Sequence, residues 1–307
     1  MNTGPTARSR SILQIAIASV LWGVSYFFYK VAVIDQSAVF VSFWFSISAT
    51  LFLLPIAIHQ PFAAAFGRYP LHYLCLGLFS GPCAAVLIAH GLKSTPVGVG
   101  SVIAKLEAVF VIAIAWVALG ERLSRKQVIW SAIALCSTPV VVLGDIGALS
   151  ENEVQLIPAL FIVGGGACFA ACVVIARFLA TSGEQPLTMI FLRTALGGVL
   201  TLPLGLFVDD GLLAGISWRG AAVIFVASAT TTVAFLLFYA GLRHARAGIA
   251  SVIELLTPMV AVLMGVVWLD ESISITRTVA MAVLIVSVMM ASGIEIPRTF
   301  SSRAKAS

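Results

Sequence analysis

Four ionisable side chains interrupt long apolar runs in this sequence, and their chemical types could bind a small charged molecule. They are Lys105 and Glu107 in the run SVIAKLEAVF, Arg193 in a later run, and Glu254 in the run SVIELLTPMV. Ammonium and guanidinium groups donate to carboxylates, and an ionised carboxylate accepts from an amine or takes up a proton. We therefore expect Lys105 or Arg193 to attract a carboxylate. We expect Glu107 or Glu254 to bind an amine or a proton.

The same residues have a simpler interpretation, in which they only join helices. Arg193 and Glu254 lie at a similar depth in their apolar runs, which makes them candidates for an ion pair. On one continuous helix, Lys105 and Glu107 would face directions about 200° apart. Ionisable residues at membrane depth are costly to bury and commonly face a cavity, a partner or an ion path. The pattern therefore favours a cavity or coupling role over mere helix joining.

Aromatic side chains form a second group of candidates for a cavity. Trp22 and Tyr26 are one helical turn apart in the first apolar run, Trp44 lies in the second, and Tyr239 lies near the end of the eighth. Aromatic rings can line a pocket for an apolar or aromatic part of a ligand. The alternative is an interfacial aromatic belt or helix packing. Trp22 lies in the middle of its run, where the belt explanation does not apply.

The composition identifies the environment that must position these side chains. Of the 307 residues, 60% are hydrophobic and only 10% are charged, against about 25% charged residues in soluble domains. An integral membrane protein is the class that suits these values. The net charge of +5 comes from basic residues scattered singly between apolar runs, so no nucleic acid partner is expected. The five cysteines show neither disulfide nor metal-ligand spacing.

The apolar runs predict an all-α integral membrane fold with ten transmembrane helices. Each run has roughly 20 residues, which is the length needed to cross a hydrocarbon core about 30 Å thick. Lipid-facing strands would alternate apolar and polar residues, and these runs do not. The predicted spans are 12–34, 38–58, 72–92, 97–119, 127–146, 155–180, 186–207, 218–242, 247–269 and 275–294.

The distribution of Lys and Arg predicts the orientation of these spans. Of the 18 basic residues, 12 fall on the same side as the N-terminus, 4 fall on the opposite side, and Lys105 and Arg193 lie within spans. Cytoplasmic loops carry the excess of basic residues in membrane proteins. We therefore expect a multi-pass protein of the cytoplasmic (inner) membrane with both termini in the cytoplasm.

The sequence contains an internal repeat. Residues 91–121 align with residues 241–271 at a constant offset of 150, and 10 of the 31 positions are identical. Among the identical pairs are Gly91 with Gly241 and Glu121 with Glu271. A repeat of this kind indicates two structural units with the same local fold.

The repeat divides the chain into two five-helix halves, 1–150 and 151–307, which together form a single unit. Because each half has an odd number of spans, the second half enters the membrane from the opposite side, and the repeats are inverted. Inverted repeats are typical of alternating-access carriers, whose binding site lies near the midplane between the halves. Two halves in one chain make a monomer sufficient.

Several motifs resemble those of EamA-type carriers of the drug/metabolite transporter superfamily. They are the Trp22-Gly23 pair in span one, KLEAVFVIAIAWVALGERLS in span four and ELLTPMVAVLMGVVWLDESIS in span nine. The chain departs from the pattern at Ala108, where proline is usual, whereas Pro258 keeps the proline of span nine. The resemblance implies a fold of ten helices and the export of amino acids, aromatic ones included, or of other small metabolites.

We therefore expect a secondary transporter that exports or exchanges small metabolites by alternating access across the cytoplasmic membrane. Amino acids, aromatic or neutral ones among them, are the first substrate class to consider. The alternatives are a small-molecule channel, an exporter of other metabolites or drugs, and a membrane-embedded enzyme. No catalytic set accompanies the charges, so no enzyme activity, metal or cofactor is expected. Proton coupling, exchange and facilitated passage are all compatible with the sequence.

Overall fold

All the regular secondary structure in the described part of the chain is helical. The computed structural model describes residues 5–119, 124–143, 156–208, 217–242, 253–254, 256–271 and 273–291. The helices of the first half are α1 (Pro5–Asp35), α2 (Ala38–Ala57), α3 (Phe62–Arg68), α4 (Pro70–Leu78), α5 (Val86–Ser94), α6 (Val97–Ala104), α7 (Glu107–Leu119) and α8 (Arg125–Leu143). Those of the second half are α9 (Leu156–Thr181), α10 (Pro186–Val208), α11 (Trp218–Leu242), α12 (Leu256–Trp268) and α13 (Ile275–Ala291). A π-helical turn, Phe79–Ala85, joins α4 to α5.

The helical class follows from the need of an apolar chain to satisfy its backbone polar groups internally. Within the described residues, six stretches are long and apolar enough to cross a membrane. They are Arg10–Asp35, Ala38–Ala57, Pro70–Ser94, Leu156–Ala180, Pro186–Phe207 and Trp218–Gly241. Leu256–Trp268 and Thr278–Ser287 are apolar but shorter. The all-helical prediction is confirmed for the described residues, and the count of ten spans stays a prediction.

Two predicted spans are not uniform helices. Span 72–92 is interrupted by the π-helical turn, which contains Pro82 and so lacks one backbone N–H donor. Span 97–119 is broken between α6 and α7, where the amides of Lys105 and Leu106 each reach back three residues to a carbonyl, at 3.0 Å. The expectation that Lys105 and Glu107 share one continuous helix is therefore wrong.

Several predicted features lie outside the described residues. These are the boundary between the halves at 150/151, residues 144–146 of span five, residue 155 of span six, residues 247–252 and 255 of span nine, residues 292–294 of span ten, and both termini. The predicted orientation depends in part on these segments, and it too stays a prediction.

The helices pack in pairs that relate one half of the chain to the other. Helix α1 packs along α11, and in the same way α9 packs along α5. Helix α1 also packs against α12, as α9 packs against α7. Two further pairs, α2 with α10 and α8 with α13, join equivalent helices of the two halves. Exchanging the halves therefore converts each of these pairs into another of them or into itself.

The repeated glycines show this relation at the level of single residues. A Cβ atom added at Gly91 of α5 would press against Ile162 of α9. A Cβ atom added at Gly241 of α11 would press against Ile15 of α1. Small residues let helix backbones approach closely in membrane proteins. The two glycines that repeat in the sequence thus make equivalent contacts in the two halves.

Candidate functional site

The four charged candidates come together in the structure. The Nζ atom of Lys105 lies 3.8 Å from Oε2 of Glu254, and Glu107 interacts electrostatically with Lys105, Glu254 and Arg193. The side chains of Lys105 and Glu254 keep 15% and 26% of their surface exposed, so this ion pair borders open space. Two cationic and two anionic groups, contributed by both halves of the chain, therefore form one cluster.

The break between α6 and α7 explains why Lys105 and Glu107 stand so close in sequence. Helix α6 ends at Ala104 with Lys105 as its C-cap residue, and α7 begins at Glu107, which lies in its first turn. A cation at a helix C-terminus and an anion at a helix N-terminus are both stabilised by the helix dipole. Each charge therefore complements the end of its own half-helix.

Glu254 occupies a similar turn in the second half. It precedes α12, and its carbonyl accepts a bond from the amide of Thr257 at 3.0 Å. The Thr257 hydroxyl in turn donates to the carbonyl of Ser19 in α1 at 3.1 Å. Pro258 lies in the first turn of α12, where a missing N–H leaves no internal helix bond unmade. These contacts fix the start of α12 against α1 and hold Glu254 beside Lys105.

Arg193 is held by aromatic rings. Its side chain belongs to α10 and is buried, with its guanidinium carbon 4.2 Å from the ring centre of Phe235 and 5.3 Å from that of Phe169. It also interacts with Tyr239. Cation–π contacts of this kind stabilise a desolvated guanidinium. The ion pair of Glu254 is thus with Lys105, whereas the sequence favoured Arg193 as its partner.

The aromatic candidates Trp22 and Tyr239 line one side of the cluster together with residues that the sequence did not single out. The Trp22 ring lies 5.2 Å from Phe235 and 5.1 Å from Phe238, and Phe235 lies 5.8 Å from Tyr239. Phe235, Phe238 and Tyr239 have the i, i+3, i+4 spacing that places side chains on one helix face. That spacing around Tyr239 was the available signal for this aromatic wall.

The two remaining aromatic candidates lie differently. Tyr26 of α1 interacts electrostatically with Glu107, which places it beside the charged cluster. The Trp44 ring lies 5.4 Å from Phe43 and 6.3 Å from Phe40 of its own helix. Both Tyr26 and Trp44 are partly buried against the largest hydrophobic core. The contacts therefore support Tyr26 more directly than Trp44 as a cavity residue.

A crevice of about 580 Å³ lies elsewhere, between α8 and α13. Its lining includes Ile133, Val140, Val279 and Val283, and it contains none of the four charges. Within the described residues, no three His, Cys, Asp or Glu side chains are grouped so that they could hold a metal ion. The charged cluster thus lies apart from this crevice.

Comparisons with known proteins find transporters that are similar to this chain. An uncharacterized transporter of Archaeoglobus fulgidus is 25% identical over 90% of this chain and 94% of its own length. A probable terminal-alkyne amino-acid exporter of Streptantibioticus cattleyicolor is 26% identical over 71% of this chain and 70% of its own length. A protein of known crystal structure is 14% identical and superposes with a TM-score of 0.61 over 92% of this chain and 96% of its own, which shows a shared fold.

The family assignment rests on two matches that together cover most of the chain. The EamA-like transporter family matches residues 9–143 and again residues 156–293. These two matches correspond to the two halves that the internal repeat predicts, and the resemblance stated from the motifs is confirmed. The chain belongs to the EamA-like transporter family.

Proposed function

We propose that this protein is a secondary carrier that exports or exchanges amino acids, and that the charged cluster binds the zwitterionic part of the substrate. The observation that carries the proposal is the convergence of two cations and two carboxylates on one space between the halves. A molecule that itself carries one ammonium and one carboxylate can enter such a site without leaving a charge uncompensated. An isolated anion or cation would unbalance it, and burying an unpaired charge is costly.

The contacts support a division of roles within the cluster. An ammonium has three donors, and Lys105 lies 3.8 Å from Glu254, which is longer than a hydrogen bond. An ammonium that shares one donor direction with Glu254 keeps others for a substrate carboxylate. The substrate ammonium would then lie between Glu107 and Glu254. The name of the S. cattleyicolor relative, an amino-acid exporter, agrees with this substrate class.

The aromatic wall supports a neutral or aromatic side chain on the substrate. Phe235 and Tyr239 contact Arg193, which is part of the cluster, and Trp22 packs against Phe235. An amino acid bound by its charged end at the cluster would direct its side chain towards these rings. Aromatic surfaces contribute apolar contact area and ring stacking to such a pocket.

The wider arrangement that we propose has ten transmembrane helices in two inverted halves. Equivalent helices of the two halves make equivalent contacts. This relation supports alternating access, which inverted repeats allow. The basic residues place both termini in the cytoplasm and the protein in the cytoplasmic membrane. Residues 1–150 and 151–307 form a single transport unit, for which one copy of the chain is sufficient.

Counterflow in proteoliposomes tests the proposed function. Vesicles containing purified protein are loaded with one unlabelled amino acid at a time, and uptake of a labelled neutral amino acid is followed. We expect saturable uptake that requires an internal amino acid and is strongest with large neutral or aromatic ones. Uptake that never saturates and needs no internal substrate would indicate a channel. No exchange of any amino acid by folded protein would contradict the substrate class.

A further inference from the structure

A group of contacts at the end of the bundle where α5 meets α6 has no part in the proposed binding site. We propose, on the basis of the carrier function above, that Glu271 and Lys30 form a clasp that keeps this end closed. Opening of the carrier at this end then requires the clasp to break. The name α5–α6 clasp is used below for Glu271, Lys30 and the turn that they hold, Ser94–Pro96.

Glu271 connects the two halves of the chain. It follows α12, and its Oε1 atom accepts a hydrogen bond from the amide of Val97, the first residue of α6, at 2.7 Å. The amide of Glu271 donates to the carbonyl of Gly265 at 3.2 Å, which fixes the acidic residue to the end of its own helix. A carboxylate at a helix N-terminus satisfies an unpaired N–H and favours the helix dipole. The second half is thus bonded to the start of α6.

Lys30 holds the other side of the same turn. Its buried ammonium donates to the carbonyls of Leu92, Lys93 and Thr95, at 2.5, 3.2 and 3.0 Å. The last carbonyls of a helix have no partner within the helix, so Lys30 supplies the donors that the end of α5 needs. Lys30 also interacts electrostatically with Glu271. A cation and an anion from distant parts of the chain therefore hold one short turn between them.

Close packing seals the space beneath the clasp. Gly98 of α6 lies against Val262 of α12, and Gly265 lies against both Val97 and the Glu271 carboxylate. Helix α6 has eight residues, all of them buried, and spans about 12 Å at 1.5 Å per residue. It leads directly from the clasp to Lys105 of the charged cluster. A substrate that leaves towards this end must therefore separate α6 from α12.

Two polar atoms indicate that the clasp is built to open. The second carboxylate oxygen of Glu271 and the hydroxyl of Thr95 are buried and have no hydrogen-bond partner in the described part of the chain. A buried polar group without a partner costs free energy that water would restore. Breaking the clasp would expose both atoms to water and recover this cost. A permanent join between helices would gain nothing from leaving them unpaired.

The sequence repeat suggests where an equivalent clasp would form at the other end. Glu271 repeats Glu121, and Val97 corresponds to Ala247, at the offset of 150. Glu121 and Ala247 lie outside the described residues. The carboxylate of the α5–α6 clasp is thus part of the sequence repeat.

Chemical labelling of a single cysteine tests the clasp without measuring transport. The five native cysteines are replaced by serine or alanine, and Ser101→Cys places one thiol in α6 between the clasp and Lys105. A membrane-impermeant maleimide is applied to right-side-out and inside-out vesicles. We expect Lys30→Gln and Glu271→Gln each to raise the labelling rate at least about fivefold from the α5–α6 face, which the charge pattern predicts to be external. Each substitution removes the charge that strengthens the hydrogen bonds of the clasp, and a loss of about 1 kcal/mol changes a population several-fold.

Three further variants make the result specific. Lys93→Gln removes an exposed lysine next to the same turn, and Asp270→Asn changes the exposed neighbour of Glu271, whose φ of 53° asparagine tolerates. Both should label at the rate of the parent protein. Lys30→Arg keeps the charge and should label more slowly than Lys30→Gln. Thermal unfolding in detergent verifies that each variant is folded.

The outcomes separate the clasp from the proposed function. Unchanged labelling in folded Lys30→Gln and Glu271→Gln overturns the clasp, and so does an increase confined to the opposite face. If counterflow of amino acids succeeds while labelling is unchanged, the clasp alone is wrong. If labelling increases as expected while no amino acid exchanges, the clasp is supported and the substrate class is wrong.

Discussion

The two halves of the chain place a turn beside the charged cluster in different ways. In the first half, α6 and α7 are separated at Lys105 and Leu106, and the second residue of α7 is Ala108. In the second half, Glu254 lies in a turn before α12, whose first turn contains Pro258. Both turns use amide bonds that reach back three residues. Only the second half has a proline at this point.

The difference indicates that proline is not what breaks these helices. A proline in the first turn of a helix is tolerated but does not create the end of the preceding helix. The first half forms its break with alanine at the equivalent position, and there the break places Lys105 and Glu107 at opposite helix ends. We infer that complementary charges at these ends, and the packing around them, maintain the break. The predictions below test this account.

The largest expected effect is that of Lys105→Gln. The substitution removes the charge that caps α6 and leaves Glu254 without its partner. It also removes the hydrogen bond that we propose between Lys105 and the substrate carboxylate. A hydrogen bond to a charged group is worth about 1.5–3 kcal/mol, so the rate of counterflow should fall about 10- to 100-fold. The initial rate in proteoliposomes with equal amounts of protein measures this loss.

A charge exchange and a control make the Lys105 result interpretable. The double variant Lys105→Glu with Glu254→Lys restores an ion pair and should be faster than either single variant. Lys93→Gln, which removes an exposed lysine, should transport at the normal rate. A Lys105→Gln variant that keeps at least half of the normal rate would show that the charge pair has no part in transport.

A smaller effect is expected for the repeated glycines, and it concerns stability. The added Cβ of Gly91→Ala would lie 2.5 Å from the carbonyl oxygen of Pro158. The added Cβ of Gly241→Ala would lie 3.1 Å from the carbonyl oxygen of Ser11, which is less close. Overpacking of this kind costs about 1–3 kcal/mol, so both variants should unfold at lower temperature, and Gly91→Ala more so.

The control for the glycine pair is Gly164→Ala, where an added Cβ meets only ordinary contact with Leu87. Alanine is a better helix former than glycine by up to about 1 kcal/mol, so this variant should be as stable as the parent or slightly more stable. The unfolding temperature in detergent measures all three. Equal unfolding temperatures for Gly91→Ala and Gly164→Ala would refute the close approach of α5 to α9.

A weaker effect is expected for Ala108→Pro. The amide of Ala108 donates to the carbonyl of Lys105 at 3.2 Å, and proline would remove this one bond, worth about 0.5–1.5 kcal/mol. Because position 108 lies in the first turn of α7, the loss should be limited to this one bond, and counterflow should fall no more than about tenfold. Ile114→Pro, in the middle of α7, should abolish folding or transport. Similar losses in both variants would mean that α7 does not begin at Glu107.

The smallest effect is expected for Pro258→Ala. If charges and packing maintain the turn at Glu254, transport should stay within about twofold of the normal rate, because alanine occupies the equivalent position in the first half. Because Pro258 lies in the first turn of α12, the restored N–H gains no internal helix bond, so the unfolding temperature should be unchanged. A loss of transport larger than that of Lys105→Gln would reverse the interpretation and make proline the cause of the break.

The sequence alone predicted much of the fold because its main signals are local. Apolar length marks membrane helices, and the boundaries of α2, α9, α10 and α11 agree with the predicted spans within two residues. The break in span four could not be predicted, because it depends on three-residue hydrogen bonds and on charges from other helices. The π-helical turn could not be predicted for a similar reason, because it too involves a contact from another helix. The Tyr29 hydroxyl of α1 donates to the carbonyl of Ala85, at 3.1 Å.

The sequence predicted which residues belong to the candidate site better than it predicted which of them form an ion pair. Depth in an apolar run identifies Lys105, Glu107 and Glu254 as unusual, and this requires no knowledge of packing. Which cation faces Glu254 depends on how α9 and α11 surround Arg193, and the sequence pattern does not contain that information. Phe235 was missed because phenylalanine is common in membrane helices and becomes informative only beside a buried guanidinium.

The measurement that tests the central claim most directly compares one amino acid with its two halves. Three unlabelled compounds are compared as inhibitors of the counterflow of labelled phenylalanine. They are phenylalanine itself, phenethylamine, which lacks the carboxylate, and 3-phenylpropionate, which lacks the amine. A balanced cluster predicts that phenylalanine inhibits at least about tenfold more strongly than either analogue, since each lost charged hydrogen bond costs about 1.5–3 kcal/mol. Inhibition by one analogue as strong as that by phenylalanine would contradict a zwitterion site formed by Lys105, Arg193, Glu107 and Glu254.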